Sequence, residues 1–177
     1  MADEPEKFRI EPFDKKTHDR TTFSCEHEAL VTYLKQQANQ DLKKHVAAVF
    51  VLTPDGKTIA GYYTLSQYSI ETGDLPAQLT KELGLPRYEQ LPATLLGRLA
   101  RNLEFKGHGV GELLLMAALK RVLDHSKSTA SVAVVVDAKD ERSKKFYQGY
   151  GFIELQDHPN RLFLPMKTIA QMFAGSK

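Results

Sequence analysis

At 177 residues, with 42% hydrophobic and 26% charged side chains, the chain has enough apolar content for one packed core and too much for wholesale disorder. A formal net charge of +2 does not argue for nucleic acid by itself, and a single cysteine, Cys25, excludes an intramolecular disulfide. No apolar run approaches the ~20 residues that a membrane-spanning helix needs, and MADEPEKFRIEPFDKK lacks the apolar stretch of a signal peptide, so a cytoplasmic protein without a membrane partner is expected.

Residues 1–6 are expected to fray, and FRIEPF reads as a short first strand. Ala29, Leu30, Tyr33, Leu34, Gln37, Ala38 and Leu42 then recur at helical spacing. They predict one helix over roughly 26–44, with Lys35, Lys43 and Lys44 on its other faces. VAAVFVL (46–52) and TIAGYYTLS (58–66) read as a strand hairpin, joined by TPDGK, whose Pro54, Asp55 and Gly56 supply turn chemistry. The proline-punctuated stretch 72–92 reads as a loop with a short helix around AQLTKEL.

PATLLGRLAR (92–101) is a strand leading into a glycine-rich loop, and a helix follows at about 109–125 with Glu112, Lys120 and Asp124 on its wet edge. SVAVVVDA (131–138) is the continuous β-branched run of a central strand covered on both faces. DERSKKFYQGYGF reads as a short helix ended by glycine, and RLFLPMK (161–167) closes the chain as a last strand. The order predicts a mixed α/β fold, one domain over 1–177, with an early hairpin and then strand, glycine loop, helix, strand, helix, strand.

The glycines of FKGHGVGELLL at 107, 109 and 111 need a reason, because each costs about 1 kcal/mol relative to alanine inside a helix. Two readings stand. The loop is a tight strand-to-helix corner, or its bare backbone and the helix N-terminus receive a phosphate, with positive φ where amides converge. The spacing GxGxG is neither the dinucleotide fingerprint GxGxxG nor a GxxxxGK[ST] nucleotide loop.

Taken with VVVDA and FYQGYGF about 25 residues later, the sequence Lys106-Gly107-His108-Gly109-Val110-Gly111 after LGRLAR resembles the GNAT superfamily of acetyl-CoA-dependent N-acetyltransferases. Phe23-Ser24-Cys25-Glu26-His27-Glu28-Ala29-Leu30, Gly61-Tyr62-Tyr63-Thr64-Leu65-Ser66 and Leu96-Gly97-Arg98-Leu99-Ala100 are closest to the GNAT toxins of bacterial toxin–antitoxin pairs, which acetylate aminoacyl-tRNA. Four positions depart from that pattern. Glu26 stands for a glycine, Arg101 for an apolar residue, Lys106 for glutamine or arginine, and Asp140 for the asparagine that many members set against the pantetheine arm.

The resemblance implies that Leu99, Ala100 and Arg101 pair with pantetheine, that residues 107–111 (Gly107, His108, Gly109, Val110, Gly111) and Lys106 hold the pyrophosphate, and that Asp140 and Phe146 complete the acetyl-CoA site. It places Tyr147 as the acid that protonates the leaving thiolate, a role suited to a phenol that is protonated at neutral pH. It further implies a ribbon–helix–helix antitoxin and a homodimer as partners. Tyr150 reads as packing.

Other polar candidates carry less. The histidines at 18, 27, 45, 108, 125 and 158 show neither HxxxH nor HExxH spacing, so no metal is expected. Cys25 has no neighbouring base and reads as structural. Asp137 and Asp140 either serve the cofactor or cap the following helix. Segment 98–127 carries six basic side chains against three acidic, and Lys139, Arg142, Lys144 and Lys145 form a second basic cluster near Tyr147. Arg98, Lys144 and Lys145 are therefore the candidate contacts for a polyphosphate acceptor. Three functions remain open at this point: acetylation of the α-amine of aminoacyl-tRNA, acetylation of a small amine or protein N-terminus, and CoA binding without turnover.

Overall fold

Arg9–Pro12 forms β1 in this computed structural model, which describes residues 7–175. The fraying expected of residues 1–6 lies outside that range. β1 pairs antiparallel with β2 (Ala48–Thr53), and β2 with β3 (Gly61–Glu71). The expected turn between β2 and β3 is built on Asp55. Its carboxylate accepts from the Lys57 and Thr58 amides at 2.8 and 2.7 Å and from the Thr58 hydroxyl, while Gly56 takes φ 83°. Those amide bonds hold the Asp55 carboxyl well below the usual carboxylate range.

The helix expected over 26–44 forms with one difference. α1 (Glu28–Thr32) and α2 (Ala38–Lys43) are separated by a π turn, Tyr33–Gln37. A π turn displaces carbonyls from their usual partners, and Arg20 Nη1 donates to the Leu34 and Lys35 carbonyls at 3.3 and 3.0 Å. Residue spacing could not show this, because the compensating guanidinium comes from 14 residues upstream.

The remaining strands are β4 (Gln90–Arg101), β5 (Ala133–Asp137), β6 (Ile153–Leu155) and β7 (His158–Pro165), and the sheet order is β1-β2-β3-β4-β5-β7-β6. β4 and β5 run parallel, with Thr94–Leu96 opposite Val134–Val136, whereas β5–β7 and β6–β7 are antiparallel. The β-branched run of β5 is buried over Ala133–Val136, as expected of a central strand. Helices α3 (Ala77–Glu82), α4 (Val110–His125) and α5 (Glu141–Gln148) lie where the sequence predicts them.

The C-terminal expectation needs correcting. RLFLPMK does not close the chain as a strand: β7 ends at Pro165, and Met166–Phe173 is a further helix, α6. Proline lacks the N–H that a strand needs and a helix start does without. The short β6 was also unforeseen. Two of its three residues are exposed, so it carries no alternating pattern, and Asp157 at φ 64° turns it into β7.

The chain divides into two compact units, each discontinuous in sequence. One runs through Leu65 and includes Arg98–Ala118; the other holds Ser66–Gly97 and everything from Leu119 onward. The first has a core of Phe13, Phe23, Leu30, Leu34, Val51 and Tyr62, where the Tyr62 hydroxyl donates to the Leu30 carbonyl at 2.6 Å. The second packs Ile70, Leu91, Val135, Leu155 and Phe163.

Candidate active site

In the first unit, the C-terminal end of β4 is set by two small features. A Cβ on Gly61 would fall 2.8 Å from the Ala100 carbonyl and 2.7 Å from Leu114 Cδ1, so only glycine admits this approach. Asn102, 1% exposed, receives the chain as it leaves the strand. Its side chain donates to the Ile59 carbonyl at 2.9 Å, its amide donates to the Ala60 carbonyl at 2.8 Å, and its Oδ1 accepts from the Glu104 amide at 3.1 Å. A 3-10 turn, Leu103–Phe105, follows and delivers the glycine loop.

Lys106, Gly107, His108 and Gly109 are all exposed, while Val110 is buried and anchors the start of α4. Gly107 and Gly109 take φ 88° and 70°, and a Cβ on either would meet nothing within 4 Å. Their positive φ is therefore the reason for glycine, as the ligand reading and the corner reading both require. Gly111 differs: it lies in the first turn of α4 and has no positive φ. The Gly109 carbonyl accepts the helix's first bond, from Leu113 at 3.0 Å. The amides of Gly107, Gly109, Val110, Gly111 and Glu112 bond to no backbone carbonyl among the described residues, and they add to the partial positive charge of the helix N-terminus. The His108 ring packs edge-on against Phe105, at 6.0 Å between centroids.

Two arginines leave β4 near this loop. The Arg98 guanidinium sits 3.5 Å over the Tyr33 ring, whose hydroxyl donates to Asp41 at 2.8 Å. Burial and that bond push the Tyr33 phenol up to about 12. Arg101 Nη2 donates to Glu26 Oε1 at 2.9 Å, so two of the four departures from the toxin pattern pair with each other. Cys25 beside them donates to the His27 carbonyl at 3.1 Å, and burial raises its thiol, which fits the structural role expected of it.

The second unit carries the rest. Asp140 caps α5, accepting from the Ser143 amide at 2.8 Å, whereas Asp137 neither caps nor stands free: Arg161 Nε donates to it at 2.7 Å, and Arg161 Nη1 donates to the Tyr68 hydroxyl at 2.7 Å. Tyr147 is 7% exposed and lies edge-on to Phe146 and to Phe152, each at 5.3 Å. Burial raises its phenol well above the ordinary tyrosine range, and its hydroxyl makes no hydrogen bond to the described residues. Tyr150 packs on Phe146, as expected. Lys144 is half-buried and ion-paired to Glu154 at 2.6 Å, while Lys145 is exposed.

The expected residues thus form two groups. Arg98, Leu99, Ala100, Arg101 and Lys106–Gly111 belong to the first unit; Asp140, Lys144, Lys145, Phe146 and Tyr147 belong to the second. Glu26, Tyr33, Asn102 and Arg161 escaped the sequence reading, because each acts through a partner distant in the chain. Only the oddity of Glu26 in the toxin pattern marked any of them beforehand. Among the described residues no cluster of three or more His, Cys, Asp or Glu is placed to hold a metal, and no helix is long and apolar enough to cross a membrane.

Residues 89–168 match the model of the acetyltransferase (GNAT) domain. The chain is 30% identical over 149 residues to the tRNA-acetylating toxin of Mycobacterium tuberculosis, covering 84% of this chain and 87% of that one. Among solved structures, AtaT complexed with acetyl-methionyl-tRNAfMet is similar with TM-score 0.84 and 30% identity, covering 94% of this chain and 99% of that one. A tyrosine-to-phenylalanine mutant of AtaT bound to the C-terminus of the antitoxin AtaR gives TM-score 0.79 and 27% identity, covering 94% and 98%. The protein named Probable toxin TacT, from Sinorhizobium fredii, is 31% identical over 171 residues, which is 92% of this chain and 93% of that one. Identity at that level over more than nine-tenths of both chains is common descent, and the chain belongs to the GNAT acetyltransferases.

Proposed function

We propose that this acetyltransferase moves the acetyl group of acetyl-CoA onto the α-amine of aminoacyl-tRNA, as a cytoplasmic toxin that blocks translation, with residues 1–177 working as one domain. The carrying observation is the similarity across almost the whole chain to a tRNA-acetylating toxin and to AtaT in complex with acetyl-methionyl-tRNAfMet. An antitoxin of the ribbon–helix–helix type and a second copy of this chain are the protein partners this reading expects.

Acetyl-CoA supplies an acetyl group already activated as a thioester. The residues present fit it: five amides of 107–112 lack backbone acceptors among the described residues, and a Cβ on Gly107 or Gly109 would meet nothing within 4 Å. Those amides and Lys106 hold the pyrophosphate, with lysine acting as a point charge. Leu99, Ala100 and Arg101 align the pantetheine arm by their backbone. Asp140, whose carboxylate is engaged as a cap, and Phe146 form the floor beside Tyr147.

Tyr147 holds a proton for the leaving sulfur. Its burial keeps the phenol protonated, and its lack of a hydrogen bond to the described residues leaves that proton for donation. The acceptor needs less help, since an α-amine of pKa about 7.7–8.0 is already partly neutral near pH 7. The proton it sheds on becoming an amide passes to water, balancing the one that Tyr147 gives to sulfur. Arg98, flattened on Tyr33, presents its N–H edges to acceptor phosphates, and Lys145 adds exposed charge. Lys144 contributes less, being paired with Glu154.

The test is transfer of label from acetyl-CoA to charged tRNA, deacylated tRNA, peptides and polyamines offered together. Label on charged tRNA alone is expected. Label on peptides or polyamines instead would replace the toxin reading with a general N-acetyltransferase, and binding without any transfer would leave a CoA-binding module.

A further inference from the structure

Among the described residues, Arg101 Nε is the one buried side-chain nitrogen or oxygen without a hydrogen-bond partner. Buried donors are almost always paired, because leaving one unpaired is costly, so an exception calls for a ligand or a cause of strain. The rest of the side chain is not loose. Its Nη2 is held by Glu26 at 2.9 Å, and the chain just beyond is tied back by the Leu103 amide, which donates to the Ser24 carbonyl at 2.9 Å. The guanidinium is therefore fixed at one end and has a spare, oriented donor at the other.

We propose that Arg101 Nε–H donates to a carbonyl or hydroxyl oxygen of the pantetheine arm of acyl-CoA, with Glu26 as the residue that orients it. This rests on the acetyl-CoA reading above. Two observations select the arm over the phosphates. Arg101 is the last residue of β4 and precedes the loop of unpaired amides, so it lies upstream of the anion-binding backbone. Glu26 also neutralises the guanidinium charge, so the remaining donor has little net charge to offer a phosphate and suits a neutral oxygen. The pairing accounts for a charged residue at a position where the toxin pattern has an apolar one, and for the glutamate that replaces a glycine.

Arg101→Lys keeps the positive charge and a partner for Glu26 but removes Nε. Calorimetric affinities of wild type and variant for CoA and for 3′,5′-ADP, which lacks the arm, separate the contacts. The expected result is about a tenfold or greater loss for CoA, with 3′,5′-ADP within about twofold. Arg101→Leu should lose as much, and Glu26→Gln should lose less, since it leaves Nε in place while loosening its aim. A thermal melt of each variant identifies any that fails to fold, and Arg101→Lys decides the matter if Arg101→Leu is such a case. Unchanged CoA affinity in Arg101→Lys, or an equal loss for both ligands, overturns the proposal. Wild type that binds neither ligand would overturn the acetyl-CoA reading beneath it as well.

Discussion

Lys106, Gly107, His108 and Gly109 are exposed and offer backbone, whereas Tyr147 is 7% exposed and enclosed by Phe146 and Phe152. The first region is marked by what it lacks: no Cβ at two positive-φ positions, and no backbone acceptor among the described residues for five amides. The second is marked by enclosure, which raises a phenol and keeps it protonated. An anion needs open, unpaired N–H groups, while a proton donor needs protection from water until charge develops nearby. In the proposed reading the two demands fall to residues of different compact units.

The largest expected effect breaks the first region. Gly109→Val puts a branched Cβ where nothing now lies within 4 Å, on backbone at φ 70°. Acetyl-CoA binding should vanish by calorimetry; retention of wild-type affinity would return the loop to a mere corner. Next comes the second region. Tyr147→Phe keeps the ring contacts and removes a hydroxyl that bonds to none of the described residues, so the fold should be untouched. Turnover should fall by about 10²-fold or more, with acetyl-CoA affinity within a few-fold. Near wild-type turnover would mean that water or another group protonates the sulfur.

Smaller effects sharpen the contrast. Lys145→Glu should raise KM for aminoacyl-tRNA several-fold and flatten its climb between about 50 and 200 mM salt, with acetyl-CoA affinity unchanged. A wild-type KM that is flat across that range would argue for a small-amine acceptor. Lys144 is the poorer choice for this test, because its replacement by glutamate would set two carboxylates together at Glu154. The pH profile gives the smallest signal. With the Tyr147 phenol raised, its proton persists above the ordinary tyrosine pKa of about 10. In short time courses kcat/KM should rise to about pH 8 as the α-amine deprotonates and then stay level to about pH 10. A fall beginning below that point would place the titrating donor elsewhere.

What could be read beforehand followed the range of the interaction. Gly107, Gly109 and the run Val134–Val136 were legible because backbone conformation and burial leave local marks. Gly111 looked equivalent to its neighbours and is not, since glycine spacing alone does not reveal which φ turns positive. The π turn at Tyr33–Gln37 and the end of β7 at Pro165 depend on partners or neighbours that periodicity does not count. The pairing of Arg101 with Glu26 spans 75 residues, so the sequence could mark both as unusual but not join them. Lys144 reads as a candidate acceptor contact for the complementary reason: its partner Glu154 sits in β6, a strand too short and too exposed to announce itself.

The central claim, transfer to an α-amine esterified to tRNA, is tested most directly by where the acetyl group ends. Purified enzyme is incubated with labelled acetyl-CoA and a charged tRNA pool, the aminoacyl ester is cleaved with mild alkali, and the released small molecules are weighed by mass spectrometry. The account predicts labelled N-acetyl amino acids, with none formed by Tyr147→Phe above about one hundredth of the wild-type rate. Label that stays with the RNA after alkali, or that appears only on added peptide or polyamine, would contradict it.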